Sequence, residues 1–502
     1  MGSRRTHVIT LVSLLAGCAG NGDAPKPDTA DDTADTVDSD DTGDTAVAPT
    51  DVSLADAPAS LYGAESYAVG NALAFAGDDD GDGYDAAVVA ASFLGTTCLV
   101  RGPVPAGPRL YDEADLCWLP EATRDYAGAA VAGGRDVTGD GVPDVLLGAI
   151  ANDEIGPEGG KAYVLAGPHV GGTLADAWGQ FVGEAKGDYA GTSVALLGDV
   201  DGDGAGDLLV GAPANDAGGS GGGRVYIVRG PVDDGVFALG ESWTVITGEG
   251  PAFADAAAPP PHGAPAAGDG VGSVAVGAGD INGDGLADVL LGANGNELGG
   301  ADAGAAAVFL GPVGQGARRL DEADQLWIGA SASQYVGDQA AGPGDLDGDG
   351  LDDLLVSSDT NFEGYTWVIP GPGVAGTSPI ADAPTRLVGE VVGDLAGAAL
   401  AGAGDTDGDG HRDVLVGAYA NGAAGDDAGA VYLVRGPFVP GVVALGGADR
   451  VWRGRGPVDQ AGRALDGGGD LDADGLADVL IGAPYADFGA PYGGEVYFLF
   501  GP

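Results

Sequence analysis

The sequence predicts an all-β chain: a seven-bladed β-propeller, closed by an N-terminal strand that completes the last blade and preceded by a disordered tether. Three observations predict it. A nine-residue acidic turn leading into a short apolar run recurs seven times. Each repeat then ends an aromatic and β-branched run on a Gly-Pro pair, beginning at Gly102, Gly167, Gly230, Gly311, Gly371, Gly436 and Gly501. Finally, the last repeat stops at that pair, while a segment ahead of the first repeat resembles the piece it lacks.

From the start of the chain, Arg4 and Arg5 precede the apolar stretch Val8–Leu15, which is too short to span a bilayer as a helix and has the layout of a secretory signal over residues 1–17. Its end, Leu15-Ala16-Gly17-Cys18, resembles a bacterial lipobox, which implies cleavage before Cys18 and its acylation. An ordinary signal peptide that happens to hold a cysteine is the alternative. Residues 18–50 are rich in Asp, Thr and Ala with almost no bulky apolar residue, so they cannot bury a core and are expected to form an extended acidic linker. Behind an acylated cysteine, a linker of this length would hold a domain some tens of Å off a membrane. The propeller is expected over 51–502.

The acidic turn is clearest at Asp199, Asp201, Asp203 and Asp207, which occupy positions 1, 3, 5 and 9, with glycines at 4 and 6. Alternate carboxylates in a tight turn point inward together, the carbonyl of position 7 (Ala205) adds an oxygen, and glycine accepts the left-handed angles the turn needs. The other copies are Asp136, Thr138, Asp140, Val142 and Asp144; Asp280, Asn282, Asp284, Leu286 and Asp288; Asp345, Asp347, Asp349, Leu351 and Asp353; Asp405, Asp407, Asp409, His411 and Asp413; and Asp470, Asp472, Asp474, Leu476 and Asp478. The first copy, Asp78, Asp80 and Asp82, has Ala86 at position 9 and its nearest acid, Asp85, one place early. First positions lie 58, 63, 81, 65, 60 and 65 residues apart.

This donor set is all oxygen and roughly seven-coordinate, without sulfur or imidazole, which favours Ca2+ at about six or seven sites over Mg2+ or Zn2+. An EF-hand would need an acid at position 12, where the chain has Val210, Leu291 or Val416, and flanking helices that the pattern does not contain. His411 falls at position 7, where only its backbone carbonyl would coordinate. The role expected of the ion is structural, since four clustered carboxylates repel one another without a cation among them.

Around each turn the sequence suggests four short strands. An apolar or aromatic residue before a glycine opens the first, as in Tyr126-Ala127-Gly128, Tyr189-Ala190-Gly191 and Leu395-Ala396-Gly397. The run after the turn is the second, a segment such as Arg224–Val228 the third, and Gly179–Val182 the fourth. Leu54–Gly63 closely resembles the fourth-strand segment Ile380–Gly389 of the fifth unit, so the start of the domain is expected to supply the strand its end lacks and to remove open edges. Cys98 and Cys117 are the remaining cysteines and lie on neighbouring predicted strands. In an exported protein they suggest one disulfide, with two buried thiols as the alternative.

The units resemble FG-GAP repeats, the blades of the integrin α-subunit propeller, which also occur in bacterial surface proteins. Gly211-Ala212-Pro213 and Gly482-Ala483-Pro484 match the second half of that name, which drifts to Gly417-Ala418-Tyr419 and Gly292-Ala293-Asn294 elsewhere; Ala-Gly or Val-Gly stands for Phe-Gly, and Ser357-Ser358-Asp359 departs further. The resemblance implies hairpin calcium sites like those of integrin propellers and an adhesive role.

A net charge of −56, from 20 Lys and Arg against 76 Asp and Glu, excludes nucleic acid as a partner because phosphates would be repelled. No catalytic residues emerge. The four histidines are scattered, and Gly218-Gly219-Ser220-Gly221-Gly222 matches a nucleophile-elbow string without its strand-to-helix context. The long connection Gly250–Gly270 reads as a surface excursion. The expectation is a non-enzymatic, calcium-stabilised binding or adhesion propeller on a lipid anchor, exported and held at a bacterial outer membrane or cell surface, with an unknown protein or glycan as partner. The alternatives are an extracellular hydrolase using the propeller channel and a purely structural envelope component.

Overall fold

The computed structural model describes residues 50–250, 268–358 and 364–501. The predicted signal, Cys18, all but the last residue of the linker, and most of the Gly250–Gly270 connection lie outside the described residues. The rest is a seven-bladed propeller. Blade 1 is built on Ala72–Gly77, Ala86–Ala91, Thr96–Arg101 and Leu116–Leu119, blade 3 on Val194–Leu196, Leu208–Ala212, Arg224–Val228 and Thr244–Thr247, and the others follow the same order. The first strands of successive blades touch one another around a closed cycle, from blade 1 through blade 7 and back. Second strands such as Asp288–Ala293 are buried along their whole length because a neighbouring blade covers each face. Seven hydrophobic clusters fill the seven gaps between adjacent blades. Leu209, Ile227 and Ile246 of blade 3, for example, pack on Val289, Leu291 and Phe309 of blade 4.

The ring closes as expected. Ala59–Tyr62 runs antiparallel to the last strand, Glu495–Leu499, with Ala59 opposite Phe498 and Tyr62 opposite Glu495.

Two expectations are corrected. Each sheet has five strands, not four. Between its third and fourth strands, every blade sends a short segment back to pair in parallel with the outer strand of the preceding blade. Gly235–Ala238 of blade 3 pairs in this way with Gly179–Val182 of blade 2. The N-terminal segment performs both tasks for blade 7, because Thr50–Ser53 also pairs with Arg450–Arg453 of blade 6. These segments are exposed, irregular in sequence and two to four residues long, so they carry no period to read. Each leads into a single 3₁₀ turn whose apolar residue is buried: Leu54, Leu174, Leu239 and Ile380 among them.

The second correction concerns the residue before Ala-Gly. In blades 3, 5 and 6 that residue, which in blade 5 stands before Val336-Gly337, does not open a strand. Tyr189, Tyr335 and Leu395 adopt φ of 54°, 53° and 57°, and the strand follows a few residues later, at Val194, Ala340 and Ala399. This turn brings the next glycine against the neighbouring blade. A β-carbon on Gly211 would lie 2.2 Å from the carbonyl oxygen of Gly272, and one on Gly482 would lie 2.1 Å from that of Gly70. The glycine after this turn in one blade therefore meets the glycine of the Gly-Ala pair in the blade before it, where neither leaves room for a side chain.

A disulfide joins Cys98 and Cys117, which face each other across the third and fourth strands of blade 1. Among the described residues, no helix is long and apolar enough to cross a membrane.

Candidate metal centres

Every acidic turn joins the first and second strands of its blade, so all seven lie on one face of the ring. In blade 3, one oxygen of Asp199 accepts the N–H of Gly202 at 2.6 Å and the other that of Gly204 at 2.7 Å, while Asp203 accepts from Ala205 at 2.9 Å. Gly202 and Gly204 have φ of 87° and 90°, angles that draw these amides inward. Asp199, Asp201 and Asp203 each bring a carboxylate oxygen within 4.8 Å of the others. The same holds for Asp78, Asp80 and Asp82, and for Asp405, Asp407 and Asp409. In blades 5 and 7 the converging groups are instead Asp345, Asp347 and Asp353, and Asp470, Asp472 and Asp478. Blades 2 and 4 carry Thr138 and Asn282 at position 3, so they hold one carboxylate fewer beside Asp136, Asp140 and Asp144, and beside Asp280, Asp284 and Asp288.

Position 9 has a role that the spacing alone did not reveal. Asp207 is fully buried; one of its oxygens accepts the Val200 N–H at 2.9 Å and the other accepts the Gly230 N–H at 2.8 Å. Asp144, Asp288, Asp353, Asp413 and Asp478 repeat both contacts, each tying its turn to the glycine of the Gly-Pro pair at 2.7–3.1 Å. Burial, together with the neighbouring carboxylates, pushes Asp207, Asp288 and Asp353 up to about 6 and Asp478 up to about 7, while burial raises Asp144 and Asp413 as well. A cation near these groups would offset that cost.

Blade 1 differs. Asp85 does not replace the missing acid; it turns away and accepts the Asp470 N–H of blade 7 at 2.9 Å. Asp79 is buried beside Arg101, whose guanidinium lies 2.5 Å from Asp79 and 3.2 Å from Asp80. Position 7 side chains cover the preceding turn: the His411 ring packs against Gly348 of blade 5, as Leu476 does against Gly408 of blade 6. The donor set, carboxylates and carbonyls on a glycine-bent turn, suits a hard divalent cation. The residues that would hold it are those at positions 1, 3, 5, 7 and 9.

A second recurring cluster, at the opposite end of the blades, was not anticipated. Asn215 donates to Asp188 at 2.7 Å and to Glu184 at 3.2 Å, and Glu184 also accepts from Tyr226 at 3.1 Å and from Arg224 at 2.6 Å. Asn152 with Glu121, Asp125 and Tyr163 repeats it, and Tyr432 with Glu390 and Asn421 repeats part of it. The constant 27-residue step from Asp188 to Asn215 and from Asp125 to Asn152 was the available signal.

Residues 190–228 and 461–499 match the FG-GAP repeat family. Integrin alpha-PS5 of Drosophila melanogaster is 33% identical over 160 residues, which are 31% of this chain; the chain spans about 15% of the length of that relative. Among solved structures, the crystal structure of BBS1N in complex with ARL6DN, soaked with lead, aligns at 10% identity with a TM-score of 0.44, covering 86% of this chain and 92% of that one. With its matched units falling on blades 3 and 7, the chain is a seven-bladed β-propeller that carries FG-GAP repeats and is similar to an integrin α chain.

Proposed function

We propose that this chain is a calcium-stabilised, non-enzymatic binding propeller, displayed outside the cell on a lipid anchor at Cys18, that presents the face opposite its acidic hairpins to a protein or glycan. The observation that carries the reading is the recurrence, in the sequence of six hairpins, of oxygen-bearing side chains at positions 1, 3, 5 and 9, with three carboxylates converging in blades 3, 5, 6 and 7. Calcium would neutralise carboxylates that otherwise repel, and the chain's own contacts make that matter for the ring. The N–H of Ala287 donates to the Asp199 carbonyl of the preceding turn at 2.8 Å, and Ala477 donates to Asp405 at 2.9 Å, so each turn braces the next blade.

The opposite face supports the binding role. Phe93, Ile155, Leu298, Phe488 and Tyr492 are between 45% and 61% exposed, and all lie on connections between second and third strands. Exposed apolar and aromatic side chains on one loop face are what an interaction surface uses. The test is binding of the purified chain to a glycan array and crosslinking on whole cells, each with calcium and with chelator. Calcium-dependent capture of a specific protein or glycan is the expected result. Hydrolysis of a test substrate without such capture would overturn it.

A further inference from the structure

Blade 3 pairs an arginine of its own with a tryptophan. Arg229 stands immediately before the Gly-Pro pair, and its guanidinium lies over the Trp243 ring, 4.8 Å from the centroid. It also reaches Asp203 of its own turn at 3.4 Å. Trp243 immediately precedes the fourth strand, Thr244–Thr247. Blade 2 keeps the tryptophan at that place, Trp178 ahead of Gly179–Val182, but has Ala166 where the arginine would stand. There the structure holds a cavity of about 400 Å³ on the outer rim of the ring, lined by both Ala166 and Trp178.

The lining suits a cation. Trp118 of blade 1 and Trp178 contribute indoles whose N–H groups already donate, to the carbonyls of Val170 at 3.0 Å and Val232 at 2.9 Å, so what they offer a ligand is ring surface. Trp178 is 41% exposed, which leaves its ring open to solvent. Asp176 and Asp234, both exposed, line the cavity as well, and among the described residues no Lys or Arg does. An aromatic ring flanked by carboxylates attracts a cation, and a planar guanidinium stacks on an indole where an ammonium cannot. His169 marks the same cavity independently. It stands where blades 1, 3 and 4 bury Val104, Val232 and Val313, it is 4% exposed, and neither of its ring nitrogens has a hydrogen-bond partner. Its ring meets Trp118 edge to face at 5.5 Å. Burial lowers its pKa, so the imidazole is neutral at pH 7 and adds no positive charge to the cavity. A buried, unpaired imidazole costs stability that a valine at that place would not, which sets this rim apart from the others.

We propose that this cavity binds a guanidinium group supplied from outside the chain, in the place that Arg229 fills over Trp243 in blade 3. The site lies at the hairpin end of blade 2, where Asp144 accepts the Gly167 N–H at 3.1 Å, and is separate from the loop face assigned above to a protein or glycan. The group can come from a small guanidino compound or from an arginine of a partner protein; the cavity recognises the chemistry the two share.

The test is ligand-observed NMR titration of the full chain with methylguanidine and with the tripeptide glycyl-arginyl-glycine, N-methylurea serving as the uncharged isostere. Saturable binding of either guanidinium probe is the expected result; a preference for methylguanidine points to a small compound and a preference for the tripeptide to a partner's arginine. Ala166→Arg rebuilds the blade 3 pair in blade 2 and should abolish binding by filling the cavity from within. Trp178→Ala should weaken binding about tenfold, and Asp176→Asn with Asp234→Asn about fivefold. Thermal melts of each variant check that the fold is kept, and the two carboxylate changes, on exposed side chains, keep the test open if a bulkier change does not fold. No saturable binding of either guanidinium probe, equal binding of N-methylurea, or binding unchanged in the folded variants would overturn the proposal. None of these outcomes bears on calcium or on binding at the opposite face, so the two readings fail separately.

Discussion

Gly211 of blade 3 faces Gly272 of blade 4 so closely that a β-carbon on the first would lie 2.2 Å from the carbonyl oxygen of the second. The Gly272 carbonyl also accepts the Ser193 hydroxyl at 2.9 Å, so it is not free to retreat. Gly211→Ala should therefore destabilise the propeller by about 2–4 kcal/mol, the scale of an overpacked core. Denaturant unfolding of the two proteins measures this, and an equally stable variant would show that the blades can part at that point.

The two kinds of carboxylate in one hairpin should separate under mutation. Asp288 is fully buried and accepts the N–H groups of Ile281 at 2.9 Å and Gly311 at 2.7 Å. Asp288→Ala leaves two buried donors unpaired and should cost about 2–4 kcal/mol with or without calcium. Asp284 is exposed and accepts only locally, from the Leu286 N–H on one oxygen and from the Asn282 side-chain amide on the other; an asparagine oxygen keeps the first and gives up the second, which is solvent-exposed. Asp284→Asn should stay within about 0.5 kcal/mol of wild type in chelator and fall behind only when calcium is added. Thermal melts in both conditions decide it.

Calcium itself should raise the melting temperature. A site that binds at about 0.1 mM contributes roughly 1.4 kcal/mol in about 1 mM calcium. Several such sites shift the transition by on the order of 10 °C. A melt unchanged by excess chelator would rule out a stabilising ion.

Without its leading strands the ring should open. Deleting residues 50–62 removes the fourth strand of blade 7 and the fifth of blade 6, exposing two sheet edges. Size-exclusion chromatography should show aggregation, and a synthetic peptide of those residues should restore a monomer. A truncated chain that stays monomeric would mean the interblade cores suffice.

In chelator, stability should rise as the pH is lowered from neutrality. Burial lifts Asp269 from 3.8 to about 6, in a site shared with Asn296 and the N–H of Glu249 and near Glu297 and Asp321. Burial also raises Asp125, Asp188, Asp394 and Asp459 at the same end of the blades. A carboxyl whose pKa is higher folded than unfolded penalises folding when ionised, fully above about 6, and the penalty disappears as the pH falls toward 3.8. Asp79 works the other way: against its burial, the Arg101 hydrogen bond holds it low, so its contribution is lost only in stronger acid. The melting temperature should therefore peak between about pH 4 and 5. A maximum at pH 7 or above would contradict this balance.

Much of this was legible in the residues. The spacing of Asp199, Asp201, Asp203 and Asp207 announced a turn bent by glycine, and the run Leu208–Ala212 announced a strand covered on both faces, because local chain geometry and burial leave periodic marks. Copying that unit seven times and matching Leu54–Gly63 to Ile380–Gly389 was enough to close a ring. The sequence could not say what each carboxylate touches. Asp85 serves the neighbouring blade, Asp207 holds a glycine 23 residues away, and Arg229 bends back on its own turn, all through contacts set by how blades stack. The lent strands were hidden for the same reason: Gly235–Ala238 has no apolar alternation of its own and becomes a strand only because the outer edge of blade 2 offers it unpaired backbone groups. Patterns of burial and turn chemistry are written locally; partners across a blade boundary exist only once the ring has formed.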